Sequence, residues 1–449
     1  MLNRFKLHCL VSAGLLISSP AMAVDLVGVH DLAVKNDPRL RAAEFRREAT
    51  GENKDIARAN LLPQLGASGS WTWGTSKTKI PGQDIPDSDI DNRNYGIDLR
   101  QSLYRQANYE SLDIARGQIS QADALYSLAY QDFLLRVSEG YFIVLTFTDG
   151  VIFAEAEEKA FKRQFEQAEQ RFEVGLTAVT DVHEARASYD NARARAIVAR
   201  NNLADAKEAL RELTGEYFEE YDALQDVLPL VEPDPIDVDN WVNISLQTNP
   251  SVLSSRAAVE VADANMRLAR SGHYPTLDLI ASYDQFKNNE YVYRDPINDV
   301  QFNSSLKVDD ARIGLLLDIP IYQGGRVTAQ TRQARYLLDA TGQDLDDVQR
   351  GVIRQTQNAY RAIIAGIQEV QAFRQASISA ESALEATQAG FEVGTRTIVD
   401  VLIAEQRKYQ AQRDNSVARH AYIINHLRLK SVAGLLSAED LKVVNQLLE

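Results

Sequence analysis

Two long stretches of this chain contain no proline, one between Pro86 and Pro229 and one from Pro320 to the C-terminus. Both are rich in Ala, Gln, Glu, Arg and Leu, the residues that lose least on entering a helix. The segment from about Arg105 to Phe172 reads as a single helix, ~100 Å long at 1.5 Å per residue. A globular domain cannot bury such an element inside itself, so it must lie in a coiled coil or a bundle. Gly117, Gly140 and Gly150 are its weak points and are expected to mark close helix packing rather than breaks.

The two stretches also resemble each other. FEVGLTAVTDV from Phe172 returns as FEVGTRTIVDV from Phe391, and Phe172 to Gly215 lies over Phe391 to Gly434 without a gap. The pairs include Glu173/Glu392, Gly175/Gly394, Asp181/Asp400, Val182/Val401, Val198/Val417, Arg200/Arg419 and Leu210/Leu429. Upstream, NDPRL at Asn36 parallels TNPSV at Thr248. Pro38 and Pro63 stand as far apart as Pro250 and Pro275. Shared helical composition does not produce matched prolines, so the chain is expected to be an internal two-fold repeat. The repeats run from 24 to 235 and from 236 to 449.

Each repeat carries a pair of segments with period-2 alternation. In the first, at about 63–79 and 93–104, Leu65, Ala67, Trp71, Trp73, Tyr95, Ile97 and Leu99 fall on one face. In the second, at about 275–287 and 310–322, Leu277, Leu279, Ala281, Tyr283, Ile313, Leu315 and Leu317 do the same. Their length suits strands that span a membrane, and Trp and Tyr cluster near their ends as interfacial girdles do. Polar connectors join the members of each pair, at 74–94 and 285–310. Four strands cannot face lipid as an open sheet, because their edges would be unsatisfied. They must therefore close with copies from other chains.

The N-terminal MLNRFKLHCLVSAGLLISSPAMA has Arg4 and Lys6, a short apolar core and Ala21-Met22-Ala23, the pattern of a signal peptide over residues 1–23. After it, no run approaches the 18 apolar residues of a membrane helix. The single cysteine, Cys9, lies within that segment, so the remainder has no disulfide and no thiolate chemistry. The whole chain has 48 basic and 63 acidic residues; without Arg4 and Lys6 the balance is 46 − 63 = −17. Such acidity argues against nucleic acid as a partner.

The repeated phrase reads as the tip of a helical hairpin. Gly394 supplies a left-handed helix end, and Thr397 three residues before Asp400 resembles a capping box. The earlier copy is expected to do likewise with Gly175, then Thr177 or Thr180 near Asp181. On spacing alone, Asp181 and Asp400 are first-turn carboxylates that complement the helix dipole. Arg396 stands where the first copy has Thr177, and this asymmetry suggests a contact between unlike hairpins.

The chain resembles the TolC family, the trimeric outer-membrane export channels of Gram-negative bacteria. The resemblance is carried by VGLTAVTDVHEARASYD at Val174, ARNNLADAKEALRELTG at Ala199, PTLDLIASYD at Pro275, PIYQGGRV at Pro320 and VGTRTIVDVL at Val393. It implies a mostly α fold with a small β part. Long coiled-coil hairpins and four membrane strands per chain would assemble as a homotrimer, giving a twelve-stranded β-barrel on an α-helical barrel. Segments 214–240 and 435–449 would form an equatorial band, and the hairpin tips would lie at about 174–181 and 393–400. The resemblance further implies export of drugs, small toxic compounds and proteins by type I secretion. The partners implied are a periplasmic adaptor (membrane fusion) protein, an inner-membrane RND, ABC or MFS transporter, and outer membrane lipid. By position, Arg396 would pair with Asp181, Thr180 would lie in the same link, and Asp400 would form an acidic constriction ring. Phe391 replaces the family's link tyrosine, and Ile403 replaces a second ring carboxylate.

Two other classes are less well matched. A secreted coiled-coil scaffold or adhesin explains the helices but not the girdled strands. An enzyme finds no support, because GxSxG, HExxH and phosphate-binding glycine loops are missing. His8, His30, His183, His273, His420 and His426 show no metal-ligand spacing, and no cofactor is expected.

Overall fold

A computed structural model describes residues 23–77, 81, 88–294 and 301–449. The signal segment before Ala23, the Cys9 reading and the middle of each polar connector lie outside the described residues. The fold is mostly helical with a small antiparallel sheet. It divides into two compact units, each drawing on both halves of the sequence.

The first unit joins the described residues up to Leu40 with Gln131–Trp241 and Thr356–Glu449. It opens with α1 (Leu26–Asn36), where the Asp25 carboxylate accepts from the Gly28 N–H at 2.7 Å. The lower part of α4 (Gln106–Glu173) supplies the core. Phe133, Leu134, Val137, Tyr141, Phe142 and Val144 are all fully buried. A window of α4 has mean hydropathy 1.4, apolar enough by length and composition to cross a membrane. It contains no unbroken run of 18 apolar residues, so counting such runs in the sequence does not mark it. Part of that apolar surface is the buried core just named, while Ile143 and Ile152 of the same helix stay exposed.

α5 (Val179–Thr214) and α9 (Ile398–Val432) pack in the same unit, contributing buried Leu210 and Leu429. The Tyr141 hydroxyl donates to the backbone carbonyls of Asp222 at 2.8 Å and Val24 at 3.2 Å. Ala223 and Glu449 exchange backbone hydrogen bonds at 2.8 and 3.0 Å. The chain start, the 214–240 segment and the C-terminus, including α10 (Ala438–Asn445), are thereby sewn together.

The second unit comprises Arg41–Tyr130 and Val242–Gln355. α2 (Pro38–Gly51), α3 (Asn53–Ala59), α6 (Val238–Thr248), α7 (Pro250–Arg270) and the first part of α8 (Arg326–Glu392) lie wholly or partly in it. Pro250 occupies the first turn of α7, where its missing N–H costs nothing, and Asn249 caps Ser251 and Val252 at 2.8 and 3.3 Å. In the first unit, Asp37 caps the start of α2 in the same way, accepting from Arg39 at 2.7 Å.

The sheet holds β1 (Gln64–Ser76), β2 (Ser88–Tyr104), β3 (Thr276–Arg294) and β4 (Gln301–Asp318), antiparallel in the order β1-β2-β3-β4. The register gathers the alternating apolar residues on one face: Leu65 opposes Leu99, Leu99 opposes Ala281, and Ala281 opposes Ile313. The other face is polar, with Gly66, Asp98, Ser282 and Arg312 in one row. The strands run further into the polar connectors than alternation marks, because backbone pairing continues where the side chains turn polar. β4 stops at Asp318 rather than near Tyr322, since Pro320 has no N–H for the ladder.

Two of the three helix glycines permit close packing. A Cβ on Gly117 would meet Val261 at 2.7 Å, and one on Gly140 would meet Leu210 at 3.1 Å. Gly150 has nothing within 4 Å, so the expectation of close packing fails there.

Candidate functional site

The site is built on the two hairpin tips of the first unit. α4 ends at Glu173, and Gly175 takes φ +75°. Its N–H donates to Phe172 O at 2.9 Å, and Leu176 N–H donates to Arg171 O at 2.8 Å. α8 ends at Glu392, and Gly394 takes φ +78° with the equivalent pair of bonds, to Phe391 O at 3.1 Å and from Thr395 N–H to Gly390 O at 2.8 Å. Both turns satisfy the last carbonyls of a helix through a left-handed residue, which favours glycine.

The next helix starts differently in the two tips. Thr397 caps α9, and its hydroxyl accepts from Asp400 N–H at 3.2 Å. The Asp400 carboxylate accepts from the Thr397 N–H and hydroxyl, both at 2.9 Å. These bonds, with the nearby Arg396 charge, hold the Asp400 carboxyl below the usual range. In the first tip the cap position falls on Ala178, which has no side-chain acceptor, so no reciprocal box forms. The expected cap from Thr177 or Thr180 is therefore corrected: Thr177 donates its hydroxyl directly to the Asp181 carboxylate, and Thr180 is exposed inside the first turn of α5.

Beneath the tips, Phe161, Ala168, Ala185, Ala192, Ile398 and Leu402 form a buried cluster, with Phe391 packed at its side. The Arg171 guanidinium lies 4.8 Å over the Phe391 ring, a cation–π contact. Phe391 thus binds a cation through its face where a tyrosine would offer a hydroxyl. Ile403 is partly exposed and borders a cavity of about 260 Å³ with Val399, Ser188 and Arg195.

Arg396 is exposed and forms no ion pair among the described residues. Within one chain, no hydrogen bond or ion pair joins Arg396 to Asp181 among the described residues. Gly390 shapes the approach of Arg396: a Cβ there would lie 2.8 Å from Arg396 Cγ. The arginine stem therefore lies across the last turn of α8.

Further along the hairpins is a group that the sequence did not disclose. The Glu157 side chain on α4 is fully buried. It accepts from Arg195 Nη2 of α5 at 2.9 Å and from Arg413 Nη1 of α9 at 3.3 Å. One carboxylate therefore ties its own hairpin to the other. Glu405, one helical region away on α9, accepts from Gln164 at 3.5 Å, and burial pushes its carboxyl up. A fully buried carboxylate must be paired, but its partners are separated by up to 256 positions, with no spacing to mark them.

The family model for outer membrane efflux proteins matches residues 29–216 and 241–435. The outer membrane protein TolC of Vibrio cholerae is 37% identical over 97% of this chain and 96% of its own length. The alkaline protease secretion protein AprF of Pseudomonas aeruginosa is 30% identical over 96% and 88%. In structure, the Campylobacter jejuni CmeC outer membrane channel superposes with a TM-score of 0.76 at 17% identity, covering 94% of this chain and 90% of its own. The open-state Neisseria gonorrhoeae MtrE channel gives 0.71 at 19%, covering 92% and 90%.

Proposed function

This chain belongs to the outer membrane efflux protein family and is an outer-membrane protein, and we propose that three copies of it form a gated export duct. One observation carries the reading: the sheet is open at β1 and β4, yet its exposed face is apolar. Leu65 is 73% exposed, Trp73 74%, Ile313 79% and Leu315 66%. Only lipid suits that face, and lipid forbids the open edges. Pairing β4 of one copy with β1 of the next satisfies both demands and yields a twelve-stranded barrel. The exposed apolar face also disfavours a soluble scaffold or adhesin.

In this reading the α4/α5 and α8/α9 hairpins of three copies make a periplasmic tunnel, with the two sequence repeats supplying alternate hairpins. Arg396 finds Asp181, with Thr180 beside it, on a neighbouring copy and holds the tips closed. Asp400, repeated by three-fold symmetry, forms an acidic ring that attracts multivalent cations. Opening follows docking of an adaptor and an inner-membrane transporter, which untwists the α8/α9 hairpins. The cargo is drugs and small toxic compounds, and also proteins by type I secretion, as the kinship with AprF supports.

The test is electrophoretic. Outer-membrane fractions should contain a trimer that survives detergent and dissociates on heating. Recovery of the protein as a soluble periplasmic monomer would sink the reading.

A further inference from the structure

Toward the connector ends of the strands the apolar face of the sheet turns polar, and one register row there is basic. Trp71 opposes Arg93, Arg93 opposes Lys287, and Lys287 opposes Lys307. Contacts fix the row on that face: the Arg93 guanidinium lies 5.1 Å over the Trp71 ring, and Lys307 meets Asp309 at 3.0 Å. Asp309 also accepts from Gln285 at 2.7 Å and from the Tyr283 hydroxyl at 3.3 Å. Like charges directly opposite each other on adjacent strands repel. Two carboxylates relieve part of this: Asp309, and Asp91, which accepts from Trp71 at 2.8 Å, Arg93 at 3.2 Å and Asn289 at 2.6 Å. Lys287, between the other two cations, forms no ion pair among the described residues. The row therefore carries three positive charges against two flanking negative ones, with its central cation unmatched.

The height of the row decides what it meets. From Leu277, where β3 leaves the helices, Lys287 is ~33 Å along the strand at ~3.3 Å per residue. With a tilt of ~40° this is ~25 Å along a barrel axis, about the height of a membrane barrel's apolar band. The row thus lies at the far boundary of the band, next to the aromatic residues Trp71, Trp73 and Tyr95. In an outer-membrane duct that boundary is the outer leaflet, whose glycolipid bears phosphates on its sugar headgroup.

We propose that Arg93, Lys287 and Lys307 form a phosphate-binding row for outer-leaflet lipopolysaccharide. The inference rests on the duct reading, since it needs the apolar face to meet lipid. Asp91 takes the Nε and Nη2 edge of Arg93 at 3.3 and 3.2 Å and Trp71 packs on its face, which fixes the guanidinium and leaves Nη1 to reach a phosphate. Lys287 supplies the unmatched charge, and Trp71 offers a flat surface beside the sugar.

The experiment compares purified wild-type trimer with the Lys287→Gln/Lys307→Gln double variant. Binding is measured to vesicles containing lipopolysaccharide, or the same lipid enzymatically dephosphorylated, with inorganic phosphate as competitor. Each basic residue lost near an anionic lipid surface weakens binding about fivefold, so the double variant should bind ~25-fold more weakly. Wild type should fall to a similar level on the dephosphorylated lipid, and Lys287→Arg/Lys307→Arg should retain binding. Equal binding by wild type and the Gln variant overturns the proposal, as does indifference to dephosphorylation. Full competition by millimolar inorganic phosphate assigns the row to the free ion and overturns the lipid assignment. Heat-dissociable trimers in both preparations show that such failures belong to the row alone. If wild type forms no trimer, the duct reading fails with it.

Discussion

Replacing Arg413 by Gln should loosen the closed duct without unfolding the chain. Arg413 on α9 donates to the buried Glu157 carboxylate of α4 at 3.3 Å, whereas Arg195 donates at 2.9 Å from within Glu157's own hairpin. Movement of α8/α9 away from α4/α5 must break the first bond and can leave the second intact. A hydrogen bond to a charged group contributes about 1.5–3 kcal/mol. The long distance and the 30% exposure of the Arg413 side chain place it at the lower end. About 1.4 kcal/mol is a factor of ten in an equilibrium, so the open-to-closed ratio should rise ~10-fold. Single-channel open probability in planar bilayers reads this directly, with a thermal melt as the control for folding. Arg195→Gln should lower the melting temperature more and open probability less, because its bond stays within one hairpin. Equal effects of the two variants on open probability, or none from Arg413→Gln, would refute the idea that Glu157 bridges moving parts.

Two further outcomes follow from named groups. Asp400→Asn removes the ring charge while keeping an oxygen for the Thr397 cap; block by multivalent cations should largely disappear, with stability lowered by no more than ~1 kcal/mol. Unchanged block would leave Asp400 as a cap only. His420, whose Nδ1 meets the Thr146 hydroxyl at 2.8 Å, is pushed down to about 4 by burial. A histidine held neutral in the fold contributes stability that is full above its unfolded value near 6.5 and is lost as pH falls toward 4, about 3 kcal/mol at most. Asp149 opposes it, since burial raises its carboxyl and protonation on acidification relieves the cost. His420→Gln should therefore flatten the loss of stability between pH 6.5 and 4, measured by denaturation. An unaltered slope would remove His420 from the account.

The parts that were legible in the sequence are those fixed by short-range rules. Gly175 and Gly394 stand out because a left-handed helix end favours glycine, and Thr397 and Asp400 because a capping box has a fixed spacing. The apolar strand faces are visible because alternation has period 2. Other features depend on partners far apart in the chain. Glu157 looks like any helical glutamate until Arg195 and Arg413 are folded beside it. Gly390 looks like a weak helix position, yet its missing Cβ makes room for the Arg396 stem. At the first tip the threonines on either side, Thr177 and Thr180, carry the sequence signal of a cap, but the backbone gives that position to Ala178. The basic row across β2, β3 and β4 emerges only when the register is known, since its members are scattered through polar connectors.

The central claim is a trimeric duct held shut at its tips by Arg396 and Asp181 of neighbouring copies. Planar-bilayer conductance of purified wild type, Arg396→Ala and Asp181→Ala tests it most directly. Wild type should give small, discrete channels, and both variants a clearly larger conductance. Absence of channels, or the same conductance in all three, would contradict it.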